Sequence, residues 1–154
     1  MKKRSIKYMS HLIETICLEN GRLRNVDYHQ RRMRESGRKL FGTDPCPDLD
    51  ALAASQNPPQ TGMFRFRVIY GPKVVSSEFI RHTPPVVTSL KIVYDDAISY
   101  EDKFENRTSL VKLFEQRGLC DEIIIVKNGF VTDASIANLA FRKGSKWVTP
   151  KTYL

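Results

Sequence analysis

The sequence predicts an α+β chain in two parts, and three observations carry that prediction. Asn20-Gly21 and Asn128-Gly129 each sit between apolar runs, where a tight hairpin turn needs two residues with positive φ. The run MFRFRVIY at 63–70 alternates at period two, as a half-buried strand does. Two further segments, 27–42 and 102–117, carry apolar residues at helical spacing. With 154 residues, 41% of them hydrophobic, the chain can bury a real core. No run approaches the ~20 apolar residues of a membrane span.

In chain order, 11–26 reads as a hairpin. Leu12, Glu14, Ile16 and Leu18 alternate with Ile13, Thr15 and Cys17, and Leu23 and Val26 continue the return strand. Residues 27–42 read as a helix capped by Asn25 or Asp27 and ended by Gly42. Val26, Met33 and Leu40, seven apart, form its core stripe; His29, Arg32 and Ser36 form a second stripe beside it. Gly37 weakens the last turn. Pro45, Pro47, Pro58, Pro59 and Gly62 mark 43–62 as loop, with a short helix at 48–54. In the strand at 63–70, Phe64, Phe66, Val68 and Tyr70 share one face and Met63, Arg65, Arg67 and Ile69 the other. Gly71-Pro72 turns the chain into a strand at 74–81, and Pro84-Pro85 punctuate it. The expected division is 1–88 and 89–154. The second part should hold a strand at 89–95, a helix at 102–117 ended by Gly118, and EIIIVK at 122–127 buried on both faces. Strands at 136–142 and 146–149 should flank Gly144-Ser145.

The formal net charge is +8 and uneven: residues 1–42 carry eleven Lys/Arg against four Asp/Glu. A nucleic-acid module is a remote alternative, since Arg31, Arg34, Arg38 and Lys39 scatter around a helix with no aromatic stacking platform. The basic opening is interrupted by Lys7, His11 and Glu14, so no signal peptide is read and a cytoplasmic protein is expected. Cys17, Cys46 and Cys120, with His11, His29 and His82, lack metal-ligand spacing.

Two segments offer chemistry. Lys103, Arg107, Leu110 and Phe114 lie at 0, +4, +7 and +11, on one stripe of the expected helix. A lysine pointing inward from a helix N-terminus would have a lowered pKa and a nucleophilic amine. The same spacing also suits a lysine whose stem packs while its amine reaches water. In VTDASIAN, Thr132, Asp133, Ser135 and Asn138 form a polar island, readable as a site or as turn capping. Arg65 and Arg67 could meet a substrate carboxylate or line a solvated sheet face.

Taken in order, ETICLENG, YHQRRMRES, KFENR and DEIIIVKNGFVTDASIANLAF resemble the class IV pyridoxal-phosphate (PLP) aminotransferases, which include branched-chain and D-amino-acid aminotransferases and aminodeoxychorismate lyase. The resemblance is to a short bacterial branch and runs from about residue 11 to WVTP at 147–150. It implies a class IV aminotransferase-like fold, with a small α+β domain at 1–88 and part of a barrel-like cofactor domain at 89–154. It implies transamination or lyase-type elimination on amino acids and keto acids, in a homodimer without nucleic acid or membrane. By the same resemblance Lys103 matches the Schiff-base lysine, Arg32 the phosphate-holding arginine, Asp133 the carboxylate at the pyridine nitrogen, and Asn138 an asparagine of the cofactor domain. Thr108 stands where many members have a tyrosine, and Asp133 where most have glutamate. Members continue past this point into a Gly-rich turn and helix N-terminus that complete the phosphate cup. The expectation for these 154 residues is therefore weak cofactor binding, with a non-catalytic or fragmentary member of the fold as the alternative.

Overall fold

The computed structural model describes residues 10–100, 102–152 and 154. Most of the basic opening on which the signal-peptide reading rests lies outside them. The chain forms two compact units. One runs up to Pro84 and takes in Asp102–Asn106; the other is Pro85–Glu101 with Arg107–Leu154.

The first unit contains β1 (Leu12–Glu19), β2 (Arg22–Leu23), α1 (Val26–Phe41), α2 (Leu49–Ala54), β3 (Met63–Tyr70) and β4 (Val74–Arg81). Its antiparallel sheet has the order β2-β1-β3-β4. Asn20 and Gly21 both take positive φ, 47° and 78°, which closes the β1–β2 turn in the sense that matches strand twist. The β1–β3 register pairs Leu12 with Tyr70, Glu14 with Val68, Ile16 with Phe66 and Leu18 with Phe64. Those eight side chains share one face. Leu12, Ile16, Phe66, Val68 and Tyr70 form a core there with Met33 of α1 and Leu49 and Ala53 of α2. Each fully buried apolar side chain of this size contributes about 1.5–3 kcal/mol.

Helix α1 starts at Val26, so Val26 belongs to the helix and not to the return strand, which ends at Leu23; Asn25 makes no side-chain cap but sits in the left-handed region at φ 55°, turning the chain out of β2. Gly37 is buried, and a Cβ there would stand 2.2 Å from Pro45 Cδ. The residue that weakens the helix on paper lets the proline loop approach it.

The second unit contains β5 (Leu90–Tyr94), α3 (Thr108–Glu115), β6 (Glu122–Lys127) and β7 (Phe130–Val131) in a sheet of order β5-β6-β7, with β5 and β6 parallel. A separate hairpin joins β8 (Phe141–Lys143) and β9 (Lys146–Val148). Leu110 and Leu113 of α3 pack on Val93, Ile123 and Ile125. In EIIIVK, Ile123, Ile125 and Val126 are buried while Ile124 is only half-buried, so one face is covered more fully than the other.

Two expected elements are shorter than predicted. The helix placed at 102–117 begins only at Thr108, because residues 103–105 bond to β1 instead: Ile13 N–H donates to the Lys103 carbonyl at 2.9 Å and Glu105 N–H to that of His11 at 2.8 Å. The strand placed at 136–142 shrinks to Phe141–Lys143, because Ala134 N–H bonds the Ala137 carbonyl at 2.9 Å and turns the chain.

Candidate functional site

Alternation puts Glu14 in phase with Leu12, Ile16 and Leu18, so its carboxylate enters the core, with no exposure to solvent. A buried charge survives only if it is paired and hydrogen-bonded. The second stripe of α1 supplies both partners. Arg32 Nε donates to Glu14 Oε1 at 2.9 Å, and Arg32 Nη2 donates to Oε2. His29 Nδ1 lies 2.7 Å from Oε2. Burial alone would push the Glu14 carboxyl up; the bonds and charges of Arg32 and His29 outweigh it and hold Glu14 below the ordinary range. An ionised carboxylate only accepts, so His29 Nδ1 carries the proton. Arg32 Nη2, 3.2 Å from that same nitrogen, therefore does not donate to it. The Glu14 bonds in turn raise the Arg32 pKa. Tyr70, beside them, is pushed up by burial and by the Glu14 charge, so it stays a neutral phenol.

Arg32 turns one edge of its guanidinium to Glu14. Among the described residues its Nη1 takes no hydrogen-bond partner, and the side chain keeps 44% of its exposure. That leaves a charged N–H edge of the guanidinium without a protein acceptor.

Lys103 belongs to the same unit but not to a helix. The stripe with Arg107, Leu110 and Phe114 and the helix-dipole argument for its amine therefore both fall away. Phe104 bridges Leu12 and packs on the first core, and strand alternation turns Lys103 to the other side of the segment. Polar clamps hold the neighbours: Lys39 Nζ donates to Asp102 Oδ2 at 2.9 Å, and Glu105 lies 3.6 Å from His11 and 3.8 Å from Arg67. Arg32 is thus held through the Glu14 side chain on the core face of β1, and Lys103 through its backbone carbonyl to Ile13 N–H. Arg67 also meets Glu78 at 3.4 Å, whereas Arg65 is exposed on the strand.

The polar island lies in the second unit. Thr132 Oγ1 bonds the Ile125 carbonyl at 3.1 Å, Ser135 Oγ donates to Glu122 at 2.8 Å, and Arg107 Nη2 to the Ser135 carbonyl at 2.9 Å. Turn capping, the bland account of Asp133 and Ser135, does not describe these bonds: Ser135 goes to a glutamate, and Asp133 Oδ2 accepts from Leu154 N at 2.8 Å. Asp133 is half-buried, its Oδ1 has no partner among the described residues, and its backbone bridges Asn138, which is exposed. Thr108 opens α3 with its side chain exposed.

A phosphorylated pyridine aldehyde asks a protein for a charged N–H edge, an amine, and a carboxylate oxygen for the ring nitrogen. Arg32, Lys103 and Asp133 supply those three chemistries. Sequence reasoning missed Glu14 as a site residue, although a lone charge in phase with three core aliphatics is a readable signal.

No known family profile matches the chain. It is 38% identical over 148 residues to an uncharacterized protein of Haemophilus influenzae, covering 95% of this chain and 79% of the relative. A solved structure from Haemophilus somnus 129PT, provisionally described as a 4-amino-4-deoxychorismate lyase, matches with TM-score 0.84 and 35% identity, over 93% of this chain and 76% of that one. A hypothetical aminotransferase from Mycobacterium tuberculosis, solved in its PLP-bound form, shares the fold at TM-score 0.68 and 15% identity, over 94% of this chain and 64% of that one. With the sheet, the Arg32 helix and the Lys103 segment in view, the chain belongs to the family of aminodeoxychorismate lyases and fold IV transaminases.

Proposed function

We propose that this chain is a PLP-dependent enzyme of amino acids, working by transamination or by aminodeoxychorismate lyase-type elimination. The observation that carries the reading is the Arg32 guanidinium, fixed by buried Glu14 along one edge and keeping Nη1 for an anion. When bound, PLP supplies an electron sink for the pair of electrons left at the substrate Cα. The chain's own residues do the rest. Arg32 holds the phosphate through its Nη1 N–H groups. Lys103 anchors the cofactor covalently through Nζ and, once released, moves the proton at Cα. Asp133 Oδ1 accepts from the ring N–H and keeps that nitrogen protonated. Asn138 and Thr108 supply further polar contacts to the cofactor. Arg65 is the better candidate for a substrate carboxylate, because Arg67 is already shared by Glu78 and Glu105. We further propose a homodimer, as the family resemblance implies, working in the cytoplasm.

The test is a titration of the chain with PLP, read by visible absorbance. Wild type should develop a band that Lys103→Ala lacks. Arg32→Lys keeps a charge beside Glu14 but loses the planar fork. Losing one or two charge-assisted bonds of roughly 1.5–3 kcal/mol each should weaken PLP by on the order of 10- to 10⁴-fold. A band unchanged in Lys103→Ala would refute the lysine assignment, and no band in wild type would leave a non-catalytic member of the fold.

A further inference from the structure

We infer that Glu14 is a positioning residue for anion recognition: from inside the core it holds Arg32 so that only Nη1 faces a phosphate. This rests on the reading of Arg32 as the phosphate ligand and adds the group that aims it.

An arginine with four rotatable bonds at a half-exposed position would sample many orientations and lose that freedom on binding. Here two of its N–H groups are taken up by one carboxylate. Nε donates to Glu14 Oε1, and Nη2 donates to Oε2. The carboxylate cannot swing away, because its surroundings are Leu12, Ile16, Val68 and Tyr70, and His29 Nδ1 takes up more of Oε2 at 2.7 Å. Glu14 therefore acts from a fixed strand on a helical arginine, and the fork meets its ligand already oriented. Charge alone would argue the other way, since a carboxylate near an anion site repels the anion. The expected cost of removing the clamp separates geometry from charge.

Glu14→Asp keeps the charge and shortens the reach by one methylene, so one carboxylate can no longer serve Arg32 Nε, Arg32 Nη2 and His29 together. Holding one long side chain in place is worth about 0.5–1.5 kcal/mol. The variant should therefore bind PLP about three- to ten-fold more weakly. Pyridoxal, which has no phosphate, should change by less than about two-fold on the same argument. Equal shifts for both ligands, or none, would overturn the proposal. A second measurement needs no variant: arginine side-chain ¹⁵N spectra of the wild-type chain titrated with inorganic phosphate. The Arg32 Nε–H signal should hold its position while the Nη signals move. Displacement of the Nε–H signal, or no response from Arg32, would contradict the inference. Failure of the cofactor reading itself would register at Lys103, in the absorbance band, and not in these Arg32 signals.

Discussion

Glu14 occupies a strand position where every in-phase neighbour is apolar, and that single residue accounts for the polarity of the first unit's core. Removing it strands a half-buried arginine. Glu14→Ala should lower stability by about 1–3 kcal/mol, measured by urea denaturation, because Arg32 and His29 lose their shared acceptor while the half-exposed arginine can still reach water. The pH dependence follows from the lowered pKa of Glu14. Its unfolded value is the ordinary 4.5, so its contribution is fully present above that pH and is lost as pH falls toward the lower folded value. Wild type should lose more stability than Glu14→Gln between neutral pH and the region below 4.5, and a parallel decline would be evidence against the buried pair. Gly37 was legible only as a weak spot in a helix. Alanine ordinarily gains about 1 kcal/mol over glycine in a helix. Here the added Cβ would meet the rigid Pro45 ring at 2.2 Å, so Gly37→Ala should instead destabilise by about 1–3 kcal/mol in thermal or urea unfolding.

At the scale of elements, the strands of the first unit were read well, while the start of α3 and the strand expected at 136–142 were not. Alternation in LIETICLE and MFRFRVIY reports directly which face is buried, and the Asn-Gly turns set where strands reverse. The stretch DKFENR also has helical spacing into Leu110 and Phe114, but local spacing cannot reveal a free strand edge elsewhere in the chain. The edge of β1 beside His11 and Ile13 takes residues 103–105 as a short partner, and pairing overrides propensity. The lysine assignment came from the motif and not from periodicity, so the loss of the helix removes only the dipole argument. Phe104 is the apolar anchor of this pairing. Phe104→Ala should cost about 2 kcal/mol, below the 3–5 of a fully buried phenylalanine, because Phe104 is only half-buried. It should also speed amide hydrogen exchange at Ile13 and Glu105, whose N–H groups bond across the pairing. Unchanged exchange there would count against the anchor.

Over the whole molecule, composition set only broad limits, while the ordered motifs pointed to the family. Among the described residues of 1–42, Arg24, Arg32, Arg34, Arg38 and Lys39 pair with carboxylates of their own unit. What no sequence pattern could supply was the arrangement around β1, where Glu14 fixes the arginine and Ile13 fixes the lysine segment. That arrangement joins residues 14, 32 and 103 through strand register, which local periodicity does not encode. The central claim is that Lys103 is the residue to which the cofactor is joined. The most direct test is to saturate the chain with PLP, reduce the lysine–cofactor bond with borohydride so that it becomes a stable secondary amine, and map the modified peptide by mass spectrometry. The account predicts one dominant pyridoxyl adduct, on Lys103, abolished in Lys103→Ala. Adducts spread over surface lysines such as Lys39 and Lys112, with Lys103 unmodified, would contradict it.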